Sequence, residues 1–212
     1  MKHILNMYAD AFRRHGDSHK AVLWPKGQQE ERFHALTRHI RGKGSFSVLD
    51  YGCGLAHLKP FLDARYRNVS YAGADAVEVF IEADRKKYPE AIFYHVQSPV
   101  GIEGEYDYIV SSGAFNILYT PDPDEHRAIV FGILEQLFDK TKVYLSVNMM
   151  TDVVDFRQPA TYHQNVAELY CFAFEKLSRR LMLDQSYMPY EFTLTLWKEQ
   201  LIRRPENLYE DS

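Results

Sequence analysis

Two glycines, Gly52 and Gly54, follow directly on the short apolar run Phe46–Asp50, and an acid, Asp75, stands 21 residues beyond the second of them. Glycines at such a place let the backbone come close to a ligand and leave the amides at the start of the next helix pointing at it. Asp75 ends a second such run, where doubly wound α/β folds put the carboxylate that binds ribose hydroxyls. The spacing therefore points to a nucleotide-like ligand. A dinucleotide fingerprint wants Gly or Ala three places after its second glycine, and this chain has the bulky His57 there. Asp50, two places before Gly52, has the charge to meet an amino group, which suits an amino-acid moiety better than a pyrophosphate. The plainer reading of the same residues is a tight turn at Gly52 and Gly54 with Asp75 capping a helix.

The elements that must position these residues are legible from periodicity. Gln28–Ile40 carries Phe33, Leu36 and Ile40 at helical spacing behind the breaker Trp24-Pro25-Lys26-Gly27, so the N-terminal quarter is expected to be helical with a turn at 15–27. Phe46–Asp50 reads as a strand, Leu58–Arg65 as a helix, Val69–Ala74 as a strand and Val77–Tyr88 as a helix. Strands are expected again at Ile92–Val96, Tyr106–Ser111 and Val143–Val147, the last after a helix opened by Asp122-Pro123, where the missing proline N–H costs nothing. Strands alternating with helices at this spacing imply parallel pairing through right-handed crossovers. A helix over Asn165–Leu181 then leads to two strands, Leu183–Tyr187 and Phe192–Trp197, joined by a link too short to cross over, so that pair is expected to be antiparallel.

With 212 residues, 46% hydrophobic, the chain can fill one sizeable core, and one domain is expected. Its net charge of −4, without a Lys/Arg-rich block, makes nucleic acid an unfavoured partner. Cys53 lies inside the glycine turn and Cys171 is its only companion, a poor disulfide framework that fits a reducing cytoplasm. No run approaches the roughly 18 apolar residues of a membrane span, and no apolar stretch near the start suits a signal segment.

The segment VLDYGCGLAHLKPFL, followed by YAGAD and by YDYIVSSGAFN, resembles the first, second and fourth motifs of class I S-adenosylmethionine-dependent methyltransferases. The resemblance implies a Rossmann-like, doubly wound, mostly parallel seven-stranded sheet with an antiparallel last strand and an N-terminal helical cap. It divides the chain into a cap (1–45), a cofactor-binding half (46–150), an acceptor-side insertion with closing hairpin (151–200) and a polar tail (203–212). Carried over, Asp50, Gly52 and Gly54, with Cys53 between them, would line the methionine end of S-adenosylmethionine. Asp75 with Ala76 would hold the ribose, and Gln97 with Ser98 would sit near adenine. The family's usual third glycine is Ala56 here, and its usual acid near adenine is the neutral Gln97.

In such a sheet the chemistry lies beyond the carboxyl ends of the strands, so Ser111, Ser112, Gly113, Ala114, Phe115 and Asn116 are expected to face the transferable methyl group. Methyl transfer needs in-line alignment of an acceptor and, for a hydroxyl, removal of its proton. His15, Asn116 and His163 are the candidates for that work. His15 belongs to a segment, Tyr8 to Phe33, that looks like a cap seen in some small-molecule members, with Arg32 available for the methionine carboxylate. Tyr8, Phe115, Tyr119 and Tyr187 are candidate acceptor contacts, while His126, after an acidic cluster, is expected at the surface. The stretches SSGAFN and NMMTD leave Asp152 as a lone candidate ligand, so no metal is expected. The expected activity is O- or N-methylation of a small molecule. A catalytically silent S-adenosylmethionine-binding module and, less favoured, a nicotinamide oxidoreductase are the alternatives.

Overall fold

A computed structural model of the chain describes residues 2–22, 28–41, 44–157 and 161–199. Trp24 and the expected tail at 203–212 lie outside the described residues. In chain order the elements are α1 (Lys2–His15), α2 (Gln28–Thr37), β1 (Phe46–Tyr51), α3 (Leu58–Asp63), β2 (Val69–Asp75), α4 (Glu78–Lys87) and β3 (Ile92–His95). They continue with β4 (Tyr106–Ser112), α5 (Pro123–Asp139), β5 (Thr141–Met150), α6 (Val166–Phe172), β6 (Leu181–Asp184) and β7 (Glu191–Trp197).

The strands form one seven-stranded sheet in the order β3-β2-β1-β4-β5-β7-β6. The first five are parallel, and β7 runs antiparallel to both β5 and β6. The expected architecture is therefore present, with the last strand in sequence inserted between β5 and β6. Strand order reverses between β1 and β4, and at that point the two crossovers leave the sheet on opposite faces and open a crevice at the carboxyl ends.

Alternation along the strands divides the core. Leu49, Ile109, Leu145 and Val147 pack with Val130, Leu134 and Leu137 of α5, while Val48, Tyr108, Val110 and Tyr144 pack with Phe33 and Leu36 of α2 and Leu62 of α3. Each fully buried leucine of this kind contributes about 1.5–3 kcal/mol. The Tyr144 hydroxyl, buried with its ring, donates to the Leu36 carbonyl at 3.1 Å. α5 begins as its sequence implies: the Asp122 carboxylate accepts the Asp124 and Glu125 amides at 2.9 and 3.0 Å, with Pro123 in the first turn.

The closing hairpin departs from expectation. The helix expected to run to Leu181 gives way to a π turn at Ala173–Leu177, closed by the Ser178 amide on the Ala173 carbonyl at 2.8 Å. β6 consequently starts at Leu181 and ends at Asp184, so Tyr187 stands in the connecting loop and not in a strand. Among the described residues no helix is long and apolar enough to cross a membrane.

Candidate active site

The turn after β1 is folded by three alternate residues in the left-handed region, Gly52 (φ 76°), Gly54 (φ 56°) and Ala56 (φ 51°). At the two glycines this conformation is free of Cβ strain; at Ala56 it is not. The Gly52 and Cys53 amides both bond the Ala74 carbonyl, at 2.7 and 3.1 Å, which ties the turn to the end of β2. There the half-buried Asp75 accepts the Gly54 amide on Oδ2 at 2.9 Å and the Val77 amide on Oδ1 at 2.8 Å. Asp75 thus braces the turn and holds the Val77 amide just ahead of α4, as well as facing the crevice. Burial raises its pKa, and the backbone amides on it partly offset the rise.

Behind the turn Asp50 is 3% exposed and accepts the Tyr71 hydroxyl at 2.8 Å. Burial pushes its carboxyl up to about 7, against the opposing effect of the tyrosine bond. Cys53 is buried, and desolvation with the nearby carboxylates holds its thiol well above the usual range.

These residues border one cavity at the carboxyl ends of β1, β2 and β4. Of the expected cofactor contacts, Asp50, Gly52, Cys53, Gly54, Asp75 and Ala76 line it from the first two strands. Gln97, Ser112 and Gly113 line it from β3 and β4, and the expected acceptor contacts Tyr8 and Tyr119 close it from above. The charges that line the cavity among the described residues are the two carboxylates, Asp50 and Asp75. Tyr8 is pushed up to about 12 by burial and by the Asp75 charge, and burial raises Tyr119 too, so both stay phenols at neutral pH.

Other expected site residues lie elsewhere. Arg32 is 1% exposed and forms a two-pronged ion pair with Glu191 of β7, with Nε to Oε2 at 2.6 Å, so its guanidinium faces the sheet and not a methionine carboxylate. His15 is exposed on the outer end of α1, in a shallow groove with Asp10 and Arg14. His163 is buried, its Nδ1 donating to the Thr151 carbonyl at 2.9 Å, and does not border the cavity. Asn116 is buried as a tie, its Oδ1 accepting the Met150 amide at 2.8 Å. Phe115 is core against Tyr51, and Ser111 is buried on the α5 face of the sheet. Ser98 precedes a short 3₁₀ turn outside the cavity lining, and the Tyr187 hydroxyl is bonded to Asn148 and Thr193. His126, expected at the surface, is fully buried because it starts the inward face of α5.

No protein-family model matches the chain. It is 26% identical over 163 residues to "Putative methyltransferase Rv1506c" of Mycobacterium tuberculosis, a match covering 76% of this chain and 98% of that protein. Among solved structures it is similar to magnesium protoporphyrin IX methyltransferase (ChlM) of Synechocystis with bound S-adenosylmethionine, at a TM-score of 0.63 and 17% identity, covering 93% and 94% of the two chains. It is also similar to a TehB-like S-adenosylmethionine-dependent methyltransferase of Corynebacterium glutamicum, at a TM-score of 0.58 and 16% identity over 94% and 100%. The chain has the Rossmann-like methyltransferase fold.

Within this methyltransferase fold, sequence reasoning missed the apolar side of the cavity. Ile4 and Leu5 of α1, Val22, Phe33 of α2, Phe80 of α4 and Ile117 all line it. The α1 face carrying Leu5, Tyr8 and Phe12 packs on α4, with Phe12 edge-on to Phe80 at 5.6 Å. The amphipathic spacing of Leu5, Tyr8 and Phe12 was the signal available for it.

Proposed function

We propose that the protein is an S-adenosylmethionine-dependent methyltransferase acting at an oxygen or nitrogen of a small, largely apolar molecule. The observation that carries this reading is the convergence of the left-handed Gly52–Gly54 turn and the Asp75 carboxylate on one cavity lined by two carboxylates. The residues present fit the cofactor. Asp75 can accept ribose hydroxyls beside the amides it already braces, and its charge, with the Asp50 carboxyl that a neighbouring cation would help to ionise, favours the cationic ammonium and sulfonium of the ligand. Val77 and Val96 offer apolar contact for a flat base, and the Gln97 amide can both donate to it and accept from it.

When bound, S-adenosylmethionine supplies an electrophilic methyl group. The chain's own residues hold the partners in line and keep water out. Ser112, Gly113 and Ala114 form the floor beyond β4, while Ile4, Leu5, Phe33 and Ile117, with the phenols of Tyr8 and Tyr119, offer an apolar wall with hydroxyls for a neutral acceptor. Residues 1–45 act in this reading as a cap, and the reaction is read as metal-independent: Asp152, the lone candidate ligand, is bonded by Asn165 Nδ2 at 2.8 Å and is not among the residues that line the cavity. The net charge of −4 disfavours a nucleic-acid partner, and the free cysteines Cys53 and Cys171 suit a cytoplasmic enzyme.

Titration calorimetry with S-adenosylmethionine tests the cofactor, and transfer of a labelled methyl group into a metabolite extract tests the reaction. A protein without measurable affinity for either S-adenosylmethionine or S-adenosylhomocysteine would refute the proposal. A second reading, a binding module without transfer, is favoured by one observation: His15, His163 and Asn116 all lie outside the cavity lining. Tight cofactor binding with no labelled product would select it.

A further inference from the structure

His126 opens the inward face of α5 and is 0% exposed. Its ring lies between two tyrosines, with centroids 5.3 Å from Tyr119 at an interplanar angle of 25° and 3.8 Å from Tyr162 at 32°. Nδ1 accepts the backbone amide of Tyr119 at 3.1 Å, so the proton of the neutral ring sits on Nε2, which is buried with no hydrogen-bond partner among the described residues. Leaving such a group unpartnered is destabilising, and a phenylalanine would stack equally well without it. What a phenylalanine cannot do is accept the Tyr119 amide.

That amide belongs to a segment in direct contact with the cavity. Tyr119 lines the cavity and its hydroxyl donates to the Ala114 carbonyl at 3.3 Å. Ala114 in turn presses on the glycine turn, since a Cβ on Gly52 would lie 2.5 Å from Ala114 Cβ. On the far side of the ring, the Tyr162 amide bonds the Asn116 carbonyl at 2.9 Å, and Ile117 bridges to Thr161. One imidazole thus clamps the loop after β4 from the α5 side while the chain after β5 straps it from the other.

We propose that His126 is a positioning residue: by accepting the Tyr119 amide between two stacked tyrosines, it holds Gly113–Tyr119 against the Gly52 turn and so sets the wall of the cavity. Burial supports the role by keeping the ring neutral, with its pKa lowered to about 4. The consequence for ligand affinity rests on the proposed adenosyl site; the clamp itself does not.

The test compares His126→Phe, which keeps the stack and removes the acceptor, with His126→Asn, whose side-chain oxygen can replace Nδ1. Amide exchange at Tyr119 is followed by NMR in the unliganded protein, and S-adenosylhomocysteine binding by calorimetry. His126→Phe should speed Tyr119 exchange at least tenfold and weaken S-adenosylhomocysteine at least fivefold, with His126→Asn recovering most of both. Unchanged exchange in His126→Phe overturns the clamp, and faster exchange with unchanged affinity overturns its role in the site. If the wild-type protein binds no S-adenosylhomocysteine, the proposed function fails, and the exchange comparison alone decides the clamp. Should His126→Phe not fold, Tyr162→Ala strips the opposite face of the ring without touching α5 and is expected to speed Tyr119 exchange at least threefold; no change there overturns the proposal equally.

Discussion

The carboxylate of Asp75 accepts the amide of Gly54 at 2.9 Å, so the acid that ends β2 and the turn that follows β1 are one bonded unit. Its other oxygen accepts the Val77 amide, two residues on, where the chain turns into α4. Replacing Asp75 by Ala therefore removes the proposed ribose acceptor and orphans two amides together. The expected result is at least a tenfold loss of S-adenosylmethionine affinity and a stability loss of about 1–3 kcal/mol. Asp75→Asn, which keeps an acceptor for one amide, should recover part of the stability and little of the affinity. Calorimetry and denaturant unfolding measure the two effects separately.

The two glycines of the turn should respond unequally to alanine. A Cβ at Gly52 meets the rigid Ala114 Cβ at 2.5 Å, whereas one at Gly54 meets the movable Val22 Cγ1 at 3.0 Å. Both positions have positive φ, which adds about 1–2 kcal/mol of strain for any L side chain. Gly52→Ala should cost about 2 kcal/mol or more and displace the loop after β4, while Gly54→Ala should cost only about the backbone strain. Unfolding midpoints in urea would rank them, and equal losses would contradict the contact with Ala114.

Breaking the buried Arg32–Glu191 pair from one side should be severe. Arg32→Met leaves a carboxylate buried beside β7 and is expected to destabilise by about 3–5 kcal/mol. The double variant with Glu191→Met should regain most of that loss. A double variant no more stable than Arg32→Met would show that Glu191 is not the group left uncompensated.

Stability should also depend on pH through Asp84, a 1% exposed acid on α4 whose carboxyl burial pushes up to about 8 from 3.8, with Lys87 opposing. Such an acid holds its proton more tightly folded than unfolded. Its contribution is complete below about pH 4 and is lost as pH rises through 8. Asp84→Asn, uncharged at every pH, should therefore raise the thermal midpoint at pH 8, on the order of 1–3 kcal/mol in stability, with the gain shrinking toward pH 4. His126 acts in the opposite sense: with its pKa lowered to about 4, its contribution is intact above about pH 6.5 and is lost as pH falls through 4. Midpoints of Asp84→Asn and His126→Phe across pH 4–9 would separate them.

The sequence made legible those parts of the fold that depend on local pattern. Gly52, Gly54 and Asp75 were readable because a strand, a left-handed turn and a strand-end acid leave fixed spacings. The strand alternation gave the parallel half for the same reason. Arg32 was misplaced because its partner lies 159 residues away, a distance over which no spacing rule operates. His126 looked exposed from its acidic neighbours, but a helix turns a residue inward by its angle about the axis and not by the company it keeps in sequence. The start of β6 was missed by two residues because a π turn consumes chain that an α-helix would have carried further. The apolar cavity wall stayed hidden since Ile4, Leu5 and Phe33 come from helices whose approach to the strand ends is set by packing.

The bond between Arg32 and Glu191 also bears on how the molecule is made. A loop of 159 residues must close before either charge finds its partner, and contacts that distant are slow to form. During synthesis, the second helix would emerge from the ribosome long before the seventh strand that carries Glu191 had slotted between its neighbours. The seat of α2 on the sheet would mature last, and a chain stalled before Glu191 would leave that helix without its anchor to β7.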